Sequence, residues 1–489
     1  MSNSFKTIMK TTGVVGAVQV IKLLFGLIRN KLIAFYFGPA GLGMWGLYLS
    51  FTEMVQGLAC LGLEKSSVKQ IAENHQDEFK KHLTIKVAQL SLITFSVICS
   101  VTVAIFAAEL SIVIFGNIEY QIGVLICSGV ILFNCLSASY RSILNGLNEI
   151  KALAISQLIG ILIGNIIVFL LIPFLEISAI PYYFLIVAIC AFIPTFIFVK
   201  KLKIPSPALT FAEGFEQFSM LMKVGFAFWI SAIFMTFITF MVNIFLKDNL
   251  NLEVVGIYQA SWTISNLYIG IILSSMGIAF FPKICQVVQD KQQANTLINE
   301  QIEFGLLVSL PFVVGIFIFA PILLMILYSS EFSAGEWIIR WQMLGVIIRL
   351  LGFPFGYALM AKGKAIQYTI AQFLFSSLNY GLIIWFVNNY GFEGLGINYF
   401  VAYVIYTIIV GLLNYRFLNY KPSIYLIKIF AFYLVVICIS MMLFFIFDGV
   451  LLYIFGVLVV IVSMCFSYYQ LSTKLNINVV SYIKSKLKK

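Results

Sequence analysis

Apolar runs long enough to cross a bilayer follow one another from near the N-terminus to Leu471, and no other feature restricts the fold so severely. A helix of about 20 residues spans the roughly 30 Å hydrocarbon core. In lipid a backbone must satisfy its own N–H and C=O groups, which leaves only helices and closed barrels. A barrel would be written as alternating strands of about 10 residues, and that alternation is missing, so an outer-membrane barrel is excluded. Only 10% of the residues are charged and 61% are apolar, whereas a soluble domain carries roughly 25% charged residues. The predicted fold class is therefore an all-α polytopic membrane protein.

Fourteen spans are expected, at residues 11–37, 41–63, 84–108, 121–145, 152–174, 180–199, 220–246, 254–281, 304–328, 337–360, 368–387, 394–417, 424–447 and 450–471. With the N-terminus inside, 25 of the 31 Lys and Arg residues fall in or beside alternate, cytoplasmic segments. Only Lys247 and Arg340 fall in or beside the outer loops, while Lys22, Arg29, Lys31 and Arg349 lie deeper inside spans. Basic residues gather on the cytoplasmic side of membrane proteins, so both termini are expected there. The same bias accounts for most of the net charge of +11 without a nucleic-acid partner. The first run carries charges, exceeds signal-peptide length and shows no clear cleavage site, so it is expected to remain in the mature protein. All outer loops are short, leaving no room for an external catalytic domain.

A weak internal repeat supports two halves. Gly43-Met44-Trp45 resembles Gly256-Ile257-Tyr258, and Gly146 matches Gly363 at a similar offset. Repeated halves around a midplane site are a common transporter plan. The expected organisation is an N-lobe over 1–200, a basic linker over 201–219 with Pro205 and Pro207, a C-lobe over 220–420, two further helices over 421–471, and a basic tail over 472–489. The stretch Glu64 to Lys81 mixes both charge signs and reads as a solvated cytoplasmic helix. In the tail, Val479, Val480, Ile483 and Leu487 fall near one helical face with lysines elsewhere, as in an interfacial anchor whose partner is anionic lipid.

Charges inside spans are costly and mark function or pairing. Lys22 and Arg29 are seven residues apart, about 10 Å along one helix face, and can line one wall. Lys31 lies nearly opposite Lys22 on that helix; it either snorkels to the interface or requires a bend. Lys22 also has a reading as a structural partner of Glu53 in the second span. Arg349 has no acid nearby in its own run and precedes Gly352-Phe353-Pro354-Phe355-Gly356, where a proline would free a carbonyl and kink the helix. Four cations against Glu53 describe a cationic cavity, which suits an anion, and the guanidinium fork suits phosphate oxygens in particular.

Other chemistry is absent from the sequence. No GxxxxGK[ST] phosphate loop is present, and His75 and His82, the only histidines, share one charged loop, so neither a hydrolase triad nor a histidine metal site is expected. The eight cysteines lie in or beside apolar runs without CxxC spacing. No cofactor and no enzymatic activity are expected.

The segments Phe37 to Gly43, Val255-Gly256-Ile257-Tyr258-Gln259 through Ser265, and Trp341-Gln342 through Phe355-Gly356-Tyr357 with Ala361-Lys362 resemble the Wzx-type polysaccharide flippases of the multidrug, oligosaccharidyl-lipid and polysaccharide exporter superfamily. The resemblance covers roughly the first 420 residues. Lys22, Lys31 and Arg349 fall where that family places basic residues; Arg29 has no such match. It implies two six-helix lobes around a central cavity in a bacterial inner membrane. The implied cargo is an undecaprenyl-pyrophosphate-linked oligosaccharide such as an O-antigen repeat unit, moved outward by alternating access. It also implies glycan polymerases as partners. Gln259, Trp262, Trp341 and Gln342 are candidate sugar contacts, with ordinary helix packing as their other reading. Two alternatives stand beside it: a cation-coupled multidrug antiporter, which needs buried acids where only Glu53 qualifies, and a membrane glycan polymerase or ligase, which typically needs a large outer loop. The two extra helices depart from a twelve-helix pattern and resemble peptidoglycan-precursor flippases.

Overall fold

The computed structural model describes residues 3–174, 176–447 and 449–475. Among these residues all regular structure is helical. In chain order the helices are α1 (Asn3–Cys60), α2 (Leu63–Glu73), α3 (Glu78–Ile105), α4 (Ala107–Phe115), α5 (Gln121–Gly146), α6 (Ile150–Leu171), α7 (Ile180–Lys201) and α8 (Phe211–Asn249). They continue with α9 (Leu252–Val287), α10 (Lys291–Leu327), α11 (Glu336–Ala361), α12 (Ala365–Tyr390), α13 (Gly394–Leu418), α14 (Ile424–Ile446) and α15 (Gly449–Leu475). Eleven stretches are long and apolar enough to cross a membrane, one of them, Ala365–Leu418, containing both α12 and α13. The two limbs of α1 are also long enough to cross and bring the segments to fourteen, the number expected from hydropathy. The protein is a multi-pass helical membrane protein.

The limbs of α1 are separated at Gly38, whose φ of 62° lies in the left-handed region. A Cβ disfavours that conformation, and Pro39 has no N–H to continue the ladder, so Gly-Pro divides the two spans. A second break falls at Phe106, where α3 ends and α4 begins, so part of the expected outer loop is itself helical. The Glu64 to Lys81 stretch does form a helix, α2, but it is docked rather than merely solvated. Leu63, Ser66, Ser67, Gln70 and Ile71 are buried along one face. Ile71 joins Ile85, Ile143, Leu144 and Val199 in a core cluster, and a Cβ on Gly146 would stand only 2.8 Å from Ile71 Cβ.

The chain divides into two compact units, Met1–Gly256 and Ile257–Lys489. The first continues past the proposed linker because α8 is tied to the helices before it. Trp229 Nε1 donates to the Gly57 carbonyl at 3.0 Å, Gln217 Nε2 donates to Gln70 and Thr84 at 2.8 and 2.9 Å, and Lys86 Nζ donates to the Pro207 carbonyl at 2.6 Å. The two repeat-related glycines meet within this unit. A Cβ on Gly43 would overlap the Leu252 carbonyl oxygen, and one on Gly256 would overlap that of Pro39. In the second unit α11 packs on α10 and α13, and α14 and α15 pack on α10. The amphipathic tail inferred from sequence lies outside the described residues.

Candidate functional site

The second unit builds its site around a close crossing of α11 and α13. Small residues at helix interfaces let membrane helices approach, and α11 carries Gly345 and Gly352 on the face where Arg349 also falls. A Cβ at Gly345 would run into the Tyr399 ring, and one at Gly352 would lie 2.7 Å from Thr407 Oγ1. That closeness lets Thr407 Oγ1 donate to the Ile348 carbonyl at 3.1 Å and Asn414 Nδ2 to that of Phe355 at 3.2 Å. Helix α11 is assigned without interruption through Pro354.

Arg349 is half-buried at this crossing. Its Nη1 donates to Asn266 Oδ1 at 2.6 Å and to the Tyr399 hydroxyl at 3.3 Å, and its guanidinium carbon lies 5.4 Å from the Tyr403 ring centre. Every one of these partners is neutral. Asn266 is itself held, its Nδ2 donating to the Trp262 carbonyl at 3.0 Å. Trp262 meets Tyr399 edge to face at 5.6 Å, and Tyr399 and Tyr403 lie 4.7 Å apart. A cation in lipid surroundings held by dipoles and ring faces keeps an uncompensated charge, which is the electrostatic requirement for receiving an anion.

The other predicted residues divide into groups. In the second unit, Trp262 is partly exposed beside the Arg349 cluster, and Gln259 is half-buried one turn earlier on α9. Trp341 is half-buried against Phe400, with ring centres 5.8 Å apart. Gln342 is fully buried and accepts from Ser265 Oγ at 2.6 Å, which makes it a tie between α9 and α11 in this conformation rather than an open sugar contact. In the first unit, Lys22 and Glu53 are both exposed and within electrostatic reach of one another. Arg29 turns onto Trp45, 4.3 Å from its ring, and donates to Asn30 Oδ1 at 3.1 Å. Lys31 is half-buried.

Sequence reasoning missed Asn266, Tyr399 and Tyr403. The available signal was Tyr399, Tyr403 and Tyr406 recurring at helical spacing directly after Asn398. It also missed Arg340, counted at the outer end of its span but only 5% exposed, which lies 4.0 Å from the Phe444 ring and 3.6 Å from Glu336. Among the described residues no group of three or more His, Cys, Asp or Glu could hold a metal.

Comparison with known proteins places this geometry in context. The lipid III flippase of Escherichia coli strain K12 is 22% identical over 405 residues, covering 80% of this chain and 94% of that protein. The lipid II flippase MurJ, in an inward closed conformation, superposes with a TM-score of 0.74 at 19% identity, covering 94% of this chain and 99% of that one. An inward-facing multidrug-resistance MATE family transporter of the MOP superfamily superposes with a TM-score of 0.70 at 16% identity, over 81% of this chain and 94% of that one. The MurJ match leaves 6% of the chain uncovered, fewer residues than residues 421–489 contain, so part of α14 and α15 has counterparts there. The fold is thus the one seen in MurJ and in this MATE family transporter. The sequence profile described as polysaccharide biosynthesis protein matches residues 8–288, more than half of the chain, and the protein belongs to that family.

Proposed function

We propose that the chain flips a lipid-linked, pyrophosphate-bearing oligosaccharide, an O-antigen or related surface-polysaccharide repeat unit on undecaprenyl pyrophosphate. Movement runs from the cytoplasmic to the periplasmic leaflet of a bacterial inner membrane, with both termini cytoplasmic. The observation that carries this reading is Arg349, a membrane-embedded guanidinium whose bonding partners are all neutral. Family membership and the similarity to a lipid III flippase support it. Asn266 and Tyr399 fix one edge of the guanidinium, and its remaining N–H groups are suited to phosphate oxygens. The polyprenyl tail stays in the bilayer, since removing it would forfeit about 0.8 kcal/mol per buried CH₂. The protein therefore needs to shelter only the headgroup, by alternating access and without catalysis. Partly exposed Trp262 is the best placed aromatic for a sugar ring beside the anion.

Reconstitution into liposomes with defined polyprenyl-pyrophosphate sugars tests the proposal, scoring headgroup movement between leaflets. Wild-type protein should move the pyrophosphate-linked sugar, and Arg349→Gln should move it at least about tenfold more slowly. Equal transport by both proteins would sink the anion-site mechanism, and no transport of any such lipid by wild type would sink the substrate class.

A further inference from the structure

At the foot of α10, where α13 ends and the chain turns into α14, the second unit holds a pocket of about 790 Å³. None of its twelve lining residues is aliphatic, in a chain that is 61% hydrophobic. Its charges are layered. Glu303 is only 4% exposed and accepts from Ser423 Oγ at 2.7 Å, whereas Lys291 and Lys421 are exposed at the rim, with Glu300 one turn from Glu303. The buried Glu303 thus lies beneath a rim that carries Lys291, Lys421 and Glu300.

The surroundings indicate where an occupant would come from. Tyr415 and Tyr425 flank the pocket, and Leu412 and Ile424, beside them on α13 and α14, are 63% and 75% exposed as on a lipid-facing surface. Tyrosines and lysines bordering exposed aliphatic helices mark the headgroup level of a membrane. We propose that this pocket binds an aminophospholipid headgroup of the cytoplasmic leaflet, phosphatidylethanolamine in chemistry. The primary ammonium lies against Glu303 and Glu300, the phosphate at Lys291 and Lys421, and the acyl chains along α13 and α14. A purely anionic headgroup would bring no cation to the acidic floor. A trimethylated one would bring the charge without N–H donors.

Full-length protein in detergent micelles doped with phosphatidylethanolamine, phosphatidylcholine or phosphatidylglycerol tests this by native mass spectrometry of retained lipid. Phosphatidylethanolamine should be retained about tenfold more strongly than either other lipid, the size of one charge-assisted hydrogen bond. Glu303→Gln or Glu300→Gln should remove that preference while leaving the lipid-free thermal midpoint near wild type. Glu300 is exposed, so its variant remains informative if Glu303→Gln fails to fold. Equal retention of the three lipids by wild type overturns the proposal, as does a preference that survives in every variant that folds.

Discussion

Arg349 shows how one residue type can be both legible and illegible. Its charge stands out inside an apolar run, but its partners Asn266 and Tyr399 lie 83 and 50 residues away, on other helices, and only the tertiary crossing brings them together. Hydropathy therefore locates the cation and says nothing of what holds it. The arrangement predicts a graded mutational series in the liposome assay. Arg349→Gln should lower flipping roughly 10- to 100-fold, the equivalent of about 1.5–3 kcal/mol for hydrogen bonds to a charged group. Arg349→Lys should fall between it and wild type, keeping charge but losing the fork. Asn266→Ala, which leaves the charge in place but removes its shortest bond, should cost about tenfold on the same scale. A wild-type rate for Asn266→Ala would mean that Tyr399 and Tyr403 alone orient the guanidinium.

Among the elements, hydropathy delivers the crossing helices because length and apolar content are written locally. It does not deliver α2's docking or α4, since Ile71 meets Ile143 and Val199 only in the folded chain. Nor does it distinguish a repeat-related glycine that turns from one that packs. Gly43 and Gly256 are packing glycines, and the atoms that a Cβ would strike belong to backbone, which cannot rotate away. Gly43→Ala and Gly256→Ala should each destabilise by about 1–3 kcal/mol, the usual range for overpacking, and lower the thermal midpoint in detergent. An unchanged midpoint in both would show that α1 and α9 separate without penalty. The caps carry a different prediction. Asp77 accepts from the Lys80 backbone N–H at 3.0 Å, and Thr210 and Glu213 form a capping box. Backbone and ion-pair contacts with Lys80 hold the Asp77 carboxyl below its usual range, and the Thr210 hydroxyl and N–H do so for Glu213. A depressed folded pKa gives stability that is present above the unfolded value, about 4, and lost as pH falls through the folded one. Hydrogen exchange in the first turns of α3 and α8 should therefore quicken, after correction for intrinsic rates, as pH drops below about 4, in the sense of helix-cap loss. Protection that is flat across that range would remove these carboxylates from the capping account.

For the whole molecule, the sequence separates a core ending near residue 420 from two appended helices, and the structure shows what joins them. Asn299 Nδ2 donates to the Lys421 carbonyl at 3.0 Å while its Oδ1 accepts from Ser423 N–H at 2.9 Å, and Ser423 Oγ donates to buried Glu303. Farther along, the hydroxyls of Ser309 and Tyr433 lie 3.3 Å apart, and Arg340 rests on Phe444. These polar ties are invisible to hydropathy because each pairs a single residue of α10 or α11 with one far along the chain. Ending the chain after Tyr420 should still yield a core that inserts, because each earlier helix satisfies its own backbone. That core should melt at a lower temperature than the full chain, since Glu303 and Arg340 lose buried partners, and removing one partner of a buried polar group costs about 1–3 kcal/mol, more for charged groups. Replacing Glu303 by Gln in the truncated chain should restore part of the lost midpoint, because an amide that has lost the Ser423 donor costs less than a carboxylate, whereas Arg340 keeps Glu336 on its own helix. A truncated chain that fails to insert would show that α14 and α15 belong to the core, and one that melts like the full chain would show that these ties contribute nothing.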